Sequence, residues 1–406
     1  MTESAKTSAN LFVGMEAQLD AIDTRQLRRR QQYAEGPSLS TIQFDGREYV
    51  NFSSNNYLNL AHDPNVIAAA KAATDRFGAG AGGSRLITGS MAIHRELETA
   101  IARFKGTGCA VVFSSGYLAN LGLIQTLAQR DGPTPLPIFF DRLAHACIVD
   151  GVMLAGRPWR SFPHNDVAAV ERLLMGTKSE MSHHGYRAIV VTEGVFSMDG
   201  DIAPLADLLS VCEKQNALLV VDDAHGTGTI GPNGRGAAAH CGIAGAHNLI
   251  QMGTLSKALG AMGGFVAGPQ VLCDLLINRA RAYIFETALA PASVGAALTS
   301  LQLLEKEPER VAALRSNIAQ TVTALKDRGM QVATSETPII PVIIGDAGNT
   351  LRVSEALRSE GFLVVAIRPP TVRPGSSRLR ITVMSSHTED QINGLAASLA
   401  KAISVL

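Results

Sequence analysis

Long apolar runs and a net charge are both missing from this chain. No stretch approaches the roughly 20 consecutive apolar residues that a bilayer-spanning helix needs, so no transmembrane segment is expected. Residues 1–6 are mostly polar and lead into no apolar run, which argues against a secretory signal. Lys plus Arg number 36 and Asp plus Glu 36, a formal charge of zero. That balance argues against a broad cationic face for nucleic acid and leaves room for local cationic pockets. Cysteine is scarce: Cys109, Cys147, Cys212, Cys241 and Cys273 are odd in number, and no two have C-x-x-C spacing. Neither a disulfide framework nor a zinc site is expected, and a reducing, cytoplasmic setting fits best. Aromatic residues make up only 5% of the chain, so the core must be built from smaller side chains.

Those smaller side chains are abundant. Of 406 residues 46% are hydrophobic, and Ala, Gly, Val and Leu carry much of the apolar content. The mix suits helices packed closely over a sheet, and the length suggests two or three structural units of about 100–200 residues. Apolar runs at 109–113, 138–140, 188–192, 217–221, 249–252 and 264–267 read as strands. Helical spacing separates several of them, as at 166–175, where Val167, Val170, Leu173 and Leu174 share one face and Asn165 or Asp166 can cap the start. The alternation predicts an α/β fold with a large, mostly parallel sheet covered on both faces and functional loops at the strands' carboxyl ends. Upstream, residues 15–30 read as a helix ending in Arg28-Arg29-Arg30, and 40–44 with 48–52 as a hairpin turning on Asp45-Gly46. Beyond about residue 292, helices at 296–306, 311–328, 351–360 and 389–403 and strands at 339–344, 363–367 and 378–383 predict a smaller α+β domain. The expected division is an N-terminal segment, 1–50, a large domain, 51–292, and a small C-terminal domain, 293–406.

Three motifs carry chemistry. Gly253-Thr254-Leu255-Ser256-Lys257 follows a strand directly. A lysine fixed there can form a Schiff base once deprotonated, and Thr254 and Ser256 can donate to a phosphate; a surface lysine between turn glycines is the plain alternative. Val220-Val221-Asp222-Asp223-Ala224-His225-Gly226 runs a strand into two carboxylates and a histidine. An aspartate there can pair with a protonated pyridine nitrogen; an acidic turn is the plain alternative, and a metal site a further one whose remaining ligands are not apparent. Ser114-Ser115-Gly116-Tyr117 opens a helical stretch whose N-terminal N–H groups suit a phosphate, or simply a Ser cap. His145 after one strand and Glu193 to Asp201 after another add polar groups at strand ends, and Asn55 lies in a turn-like segment. Arg368 and Arg380 flank Pro369-Pro370-Thr371, and an arginine can hold a carboxylate through two parallel hydrogen bonds. The glycine run at 78–83 lacks the G-x-x-x-x-G-K-[ST] pattern and is not read as a nucleotide loop.

In this order, from about Leu27 to the C-terminus, the motifs resemble the α-oxoamine synthases. That family belongs to the aspartate-aminotransferase-like, fold type I pyridoxal-phosphate enzymes. Asp222-Asp223-Ala224-His225-Gly226-Thr227-Gly228 and Ala366-Ile367-Arg368-Pro369-Pro370-Thr371-Val372 are similar to the branch that makes 8-amino-7-oxononanoate from L-alanine and a pimeloyl thioester in biotin biosynthesis. The resemblance implies a Schiff base on Lys257, Asp222 at the pyridinium nitrogen, His225 at the ring oxygen and His145 stacked on the ring. It implies that Glu193 and Ser197 support the site and that Ser115, Gly116, Tyr117 and Thr254 hold the cofactor's phosphate end. It also implies that Arg380, with Asn55, takes the amino-acid carboxylate, and that Arg28, Thr371 and Arg368 line the substrate site. Pyridoxal 5'-phosphate is the implied cofactor, an amino acid and an acyl thioester on CoA or a carrier protein the substrates, and a homodimer the assembly. Phe285-Glu286-Thr287-Ala288-Leu289-Ala290-Pro291 departs from the family pattern, which often has Ser at 286 and Pro at 290. The alternatives are the same condensation with glycine or serine and another acyl-CoA, an aminotransferase, and a non-catalytic partner subunit.

Overall fold

The computed structural model describes residues 12–25, 27–29, 31–129, 136–177 and 185–406. Its centre is a seven-stranded sheet in the order β3-β9-β8-β7-β6-β4-β5. The strands are β3 (Cys109–Phe113), β4 (Ile138–Asp141), β5 (Trp159–Phe162), β6 (Ala188–Glu193), β7 (Ala217–Asp222), β8 (Leu249–Thr254) and β9 (Gly264–Gly268). β4 to β8 pair in parallel and β9 runs antiparallel to both neighbours, which gives the mostly parallel sheet expected.

Away from its β5 edge both faces of this sheet are dry, and the sequence shows why. β6 is buried at every position. Its Ile189 and Val191 pack with Phe140, Val220 and the Gly116–Ala128 helix residues Leu123 and Ile124. Its Ala188 and Val190 pack on the other face with Phe139, Val221 and Leu208. A period of two therefore sends apolar side chains both ways, and a continuous apolar run results. Each buried Val, Leu or Ile contributes roughly 1.5–3 kcal/mol. The helix at Val167–Met175 starts at Asp166, whose carboxylate accepts from the Ala169 N–H at 2.8 Å.

β5 escaped the sequence reading. Its burial runs exposed at three of four positions, so no apolar run marked it. The expected hairpin is present: β1 (Thr41–Phe44) pairs antiparallel with β2 (Arg47–Asn51) across Asp45 and Gly46, both at positive φ. The N-terminal helix spans Val13–Thr24 and stops short of the expected end; Arg30 lies outside the described residues.

The C-terminal part holds β10 (Ile339–Gly345), β11 (Phe362–Leu363), β12 (Val365–Ile367) and β13 (Ser377–Thr382). The single strand expected at 363–367 is two strands serving different sheets. β12 joins the antiparallel sheet β10-β13-β12, while β11 pairs in parallel with β2. The change of sheet falls at Val364, and Gly361, with φ 91°, turns the chain into β11 from the preceding helix. Helices close the chain at Pro291–Lys306, Glu309–Lys326, Ala347–Ser359 and Glu389–Ser404.

Candidate active site

β3, β4, β6, β7 and β8 all end on one edge of the large sheet, and each delivers a functional group there. Lys257 sits three residues beyond β8, in a cavity of about 250 Å3 lined also by Asn55, His145, Ser197, His225 and Arg380. Six of the residues singled out from sequence thus share one cavity. Lys257 Nζ lies 2.9 Å from His225 Nε2. Burial pushes the Lys257 pKa below its ordinary value; Asp222 and Glu193 oppose that shift and Arg380 adds to it. A larger share of neutral, nucleophilic amine follows.

The two adjacent aspartates part company. Asp222 is buried, its Oδ2 accepting from Asn120 Nδ2 at 2.7 Å and its Oδ1 from the Ala224 N–H at 3.0 Å. Asp223 turns away into a buried ion pair with Lys105 Nζ at 2.6 Å and accepts from the Ala237 N–H at 3.0 Å. Chain geometry explains the split, because successive residues leaving a strand point to opposite sides.

His145 caps the Ala146–Ala155 helix, its Nδ1 accepting from the Cys147 N–H at 3.2 Å, with Cys147 Sγ at 2.9 Å. Burial lowers its pKa, which keeps the ring neutral. Glu193 ends β6 with Oε2 accepting from the Ser197 N–H at 3.1 Å, while its buried Oε1 has no partner. Burial first, and then the Asp222 charge, hold the Glu193 pKa well above the usual carboxylate range.

Arg380 reaches the cavity from β13. Its Nε donates to the Ser197 carbonyl at 2.6 Å, and both terminal nitrogens lie 3.3 Å from Asn55 Oδ1. At the other end, Ser115 caps the Gly116–Ala128 helix by accepting from the Leu118 N–H at 3.2 Å. A Cβ on Gly116 would come within 3.3 Å of Thr254 Cβ and Oγ1, so only glycine brings this helix N-terminus against Thr254 without crowding. Thr254 Oγ1 in turn contacts Ser256 Oγ at 2.8 Å. Tyr117, half-exposed, donates its hydroxyl to Asp150.

Of the five residues expected to bind substrate, Arg28, Arg368 and Thr371 lie outside this cavity's lining. Thr371 lines an adjoining cavity of about 370 Å3 with Arg142, Arg373 and Arg378; Met198 lines both cavities. Arg28 is exposed and ion-paired with Asp23. Arg368 follows β12 directly. Conversely, Tyr57, Asn120 and the Asp141–His164–Asp201 cluster were not singled out from sequence. Asn120 left a signal: it is a polar residue on the apolar helix face of Ala119, Leu123 and Ile124. His164 Nε2 meets Asp201 Oδ2 at 2.8 Å, and its Nδ1 meets Asp141 at 3.2 Å.

These residues fit pyridoxal phosphate. A buried amine, a buried carboxylate open to a ring nitrogen, an orphaned Glu193 oxygen and a glycine-lined helix N-terminus match its aldehyde, pyridine and phosphate ends.

Comparison with known proteins agrees. The family described as aminotransferase class I and II matches residues 47–399. The 8-amino-7-oxononanoate synthase of Methylococcus capsulatus is 43% identical, with 95% of this chain and 97% of that protein covered. That of Marinobacter nauticus is 45% identical over 94% of each. Among solved structures, Sphingomonas wittichii serine palmitoyltransferase has a TM-score of 0.88 at 32% identity, covering 97% of both chains. An SPT structure with its PLP internal aldimine also scores 0.88 at 32%, covering 98% of both. The 8-amino-7-oxononanoate synthase of Francisella tularensis scores 0.74 at 29%, covering 88% of this chain and 98% of that one. The chain belongs to the class I and II aminotransferase family of pyridoxal-phosphate enzymes, and within it to the α-oxoamine synthases.

Proposed function

We propose that the protein is an acyltransferase that condenses L-alanine with a pimeloyl thioester, on CoA or a carrier protein, releasing carbon dioxide and thiol and giving 8-amino-7-oxononanoate for biotin biosynthesis. The observation that carries this reading is one cavity holding both the Lys257 amine and the Arg380 guanidinium. An amino acid bound by its carboxylate at Arg380 then has its α-carbon beside a lysine that burial keeps partly neutral. When bound, pyridoxal phosphate supplies the electron sink that lets that carbon carry negative charge.

The chain's own residues do the rest. Asp222 would hold a proton on the ring nitrogen of the bound cofactor, and Asn120 keeps its carboxylate in place. His145 would lie against the ring face and His225 would meet the ring oxygen; both line the cavity beside Lys257. Lys257 takes and returns the proton at the α-carbon. Glu193 and Ser197 brace the cavity wall, and Ser197 passes its carbonyl to Arg380. Ser115, Gly116, Tyr117 and Thr254 receive the phosphate at the helix N-terminus. Asn55 shares carboxylate binding with Arg380. Thr371 borders the side from which the acyl chain arrives, past Met198, with Arg368 nearby in sequence; the assignment of Arg28 rests on the family resemblance.

A homodimer in the cytoplasm completes the proposal; among the described residues no helix is long and apolar enough to cross a membrane. A three-part division is also proposed, with the bounds expected at 50/51 and 292/293 moved to the end of β2 and the start of the Pro291–Lys306 helix, which those positions would cut; the pairing of β2 and β11 fastens the first part to the last.

Serine with a long acyl-CoA is the second reading, since the serine palmitoyltransferases superpose at 0.88 against 0.74 for the Francisella enzyme. Identities of 43% and 45% to the two oxononanoate synthases, over 94–95% of this chain, favour L-alanine. The test offers purified enzyme and cofactor a panel of amino acids with pimeloyl-CoA. L-Alanine should yield 8-amino-7-oxononanoate with equal amounts of carbon dioxide and thiol. Turnover of glycine or serine alone would overturn the substrate assignment. Protein that takes up no cofactor, or cofactor that borohydride fixes anywhere but Lys257, would overturn the site.

A further inference from the structure

We infer that Arg142 and Arg373, in the cavity adjoining the Lys257 site, bind a carboxylate at the far end of the acyl chain and so select a dicarboxylic acyl thioester over a plain fatty one. The inference rests on the acyltransferase reading and deepens it.

The two cavities are neighbours by construction. β13 alternates, so Leu379 and Ile381 enter the core while Arg378 and Arg380 leave from the opposite face, about 6.5 Å apart along the strand. Arg380 lines the Lys257 cavity and Arg378 the adjoining one. The segment after β6 divides in the same way: Ser197 lines the first cavity, Phe196 and Asp199 the second, and Met198 both. Ile367 pairs with Arg378 across the β12–β13 ladder and lines the Lys257 cavity. An acyl chain whose reacting carbon lies beside Lys257 therefore has Met198 and Ile367 to run along and the second cavity to end in. A pimeloyl chain spans about 7.5 Å between its two carboxyl carbons at ordinary bond lengths and angles, close to one such step along β13.

The second cavity is rich in positive charge. Arg142, His164, Arg373 and Arg378 line it, against one carboxylate, Asp199. Two of those cations are already engaged. His164 is held between Asp141 and Asp201. Arg378 pairs with Asp199 and donates to the Met198 carbonyl at 3.4 Å and the Ser376 carbonyl at 3.1 Å, which ties the segment after β6 to the turn before β13. Arg142, directly after β4, and Arg373, in that turn, are exposed, and neither side chain has a partner among the described residues. The fold thus brings two free guanidinium groups from distant parts of the chain to one cavity wall.

A guanidinium holds a carboxylate through two parallel hydrogen bonds. The amino-acid carboxylate is already served by Arg380, so these two groups are left for a second anion. Leu143, Phe196 and Val372 supply apolar wall for the methylenes. A hydrocarbon tail ending here would strip water from both guanidinium groups and offer no acceptor in return, so the cavity also selects by what it rejects.

The test compares pimeloyl with heptanoyl thioesters, equal in carbon number, each on CoA and on N-acetylcysteamine, which carries no phosphate. With L-alanine the holoenzyme should prefer the pimeloyl member of each pair about a hundredfold in kcat/KM. Arg142→Gln and Arg373→Gln should each reduce that preference about tenfold, mainly through the KM of the pimeloyl thioester, and together should abolish it. A double variant that keeps the preference would overturn the inference. So would variants that lose both CoA thioesters alike and neither N-acetylcysteamine thioester, because the arginines would then be holding CoA phosphates. Calorimetry reads the subsite without turnover: free pimelate should bind wild type about tenfold more tightly than heptanoate, and the double variant no more tightly. Equal binding of the two acids by wild type would refute the subsite. Wild type that binds pimelate in this way yet condenses no pimeloyl thioester would defeat the proposed reaction and leave the subsite standing.

Discussion

A carboxylate with few alternatives is a strong anchor, and Asp222 has few. It is buried, and Asn120 and the Ala224 N–H are its hydrogen-bond partners. Asp222→Asn keeps the shape and removes the charge that holds the ring proton. Turnover should fall by about two orders of magnitude or more while bound cofactor is retained, measured by steady-state rates against absorbance. His164 makes a prediction of the opposite kind, about stability. Burial disfavours its charge, yet hydrogen bonds to Asp141 and Asp201 outweigh burial and push its pKa up to about 10. A raised folded-state value means the stabilisation is whole below the ordinary pKa of 6.5, declines as pH rises and is gone above about 10. The difference in Tm between wild type and His164→Gln should shrink across that window. A difference constant with pH would refute the charged clamp. Lys257, His225 and Arg380 were legible in the sequence because each stands in a motif of fixed order. Tyr57 and His164 were not, because their meaning lies in partners far along the chain: Tyr57 meets a histidine 168 residues away.

Elements hold these residues through contacts that a linear reading passes over. The helix Ala92–Lys105 ends on Lys105, whose ammonium lies wholly buried against Asp223, Thr227 and the Arg235 carbonyl. That ion pair ties the helix to the segment bearing Asp222 and His225. Lys105→Met would strand the Asp223 charge in the core and should cost about 3–5 kcal/mol in chemical denaturation. Lys105→Met combined with Asp223→Leu should recover part of it, because no unpaired charge remains. The strands themselves were legible where both faces are buried, as in β6, since a continuous apolar run results. β5 was not, because an exposed edge strand of Trp, Arg, Ser and Phe has no such signature. The split of 363–367 into β11 and β12 was hidden for another reason. Periodicity reports burial and is silent on which sheet a strand joins.

For the whole molecule, the proposed homodimer gives a direct prediction. Leu86, Ile87 and Phe285 are exposed at 49%, 78% and 70%. They stand together, because Ser84 bridges to Thr287 and Ala288 N–H donates to the Gly83 carbonyl. Clustered exposure of large apolar side chains suits a buried contact between copies. The double change Ile87→Asp and Phe285→Asp should turn a dimer into monomers in sedimentation velocity, with the circular dichroism of the fold retained. A wild type that sediments as a monomer would remove the dimer from the proposal.

The bond between Asn55 and Arg380 joins positions 325 residues apart. On a ribosome adding about 5–20 residues per second, the arginine follows the asparagine by roughly 15–65 s. Lys257 precedes Arg380 by 123 residues, so for roughly the last 6–25 s of that interval the sheet edge with Asp222 and Lys257 can already exist, yet no substrate carboxylate can be held. A nascent chain is thus able to acquire its cofactor before it is able to hold its amino acid, and synthesis itself sets the order in which the enzyme gains its two competences.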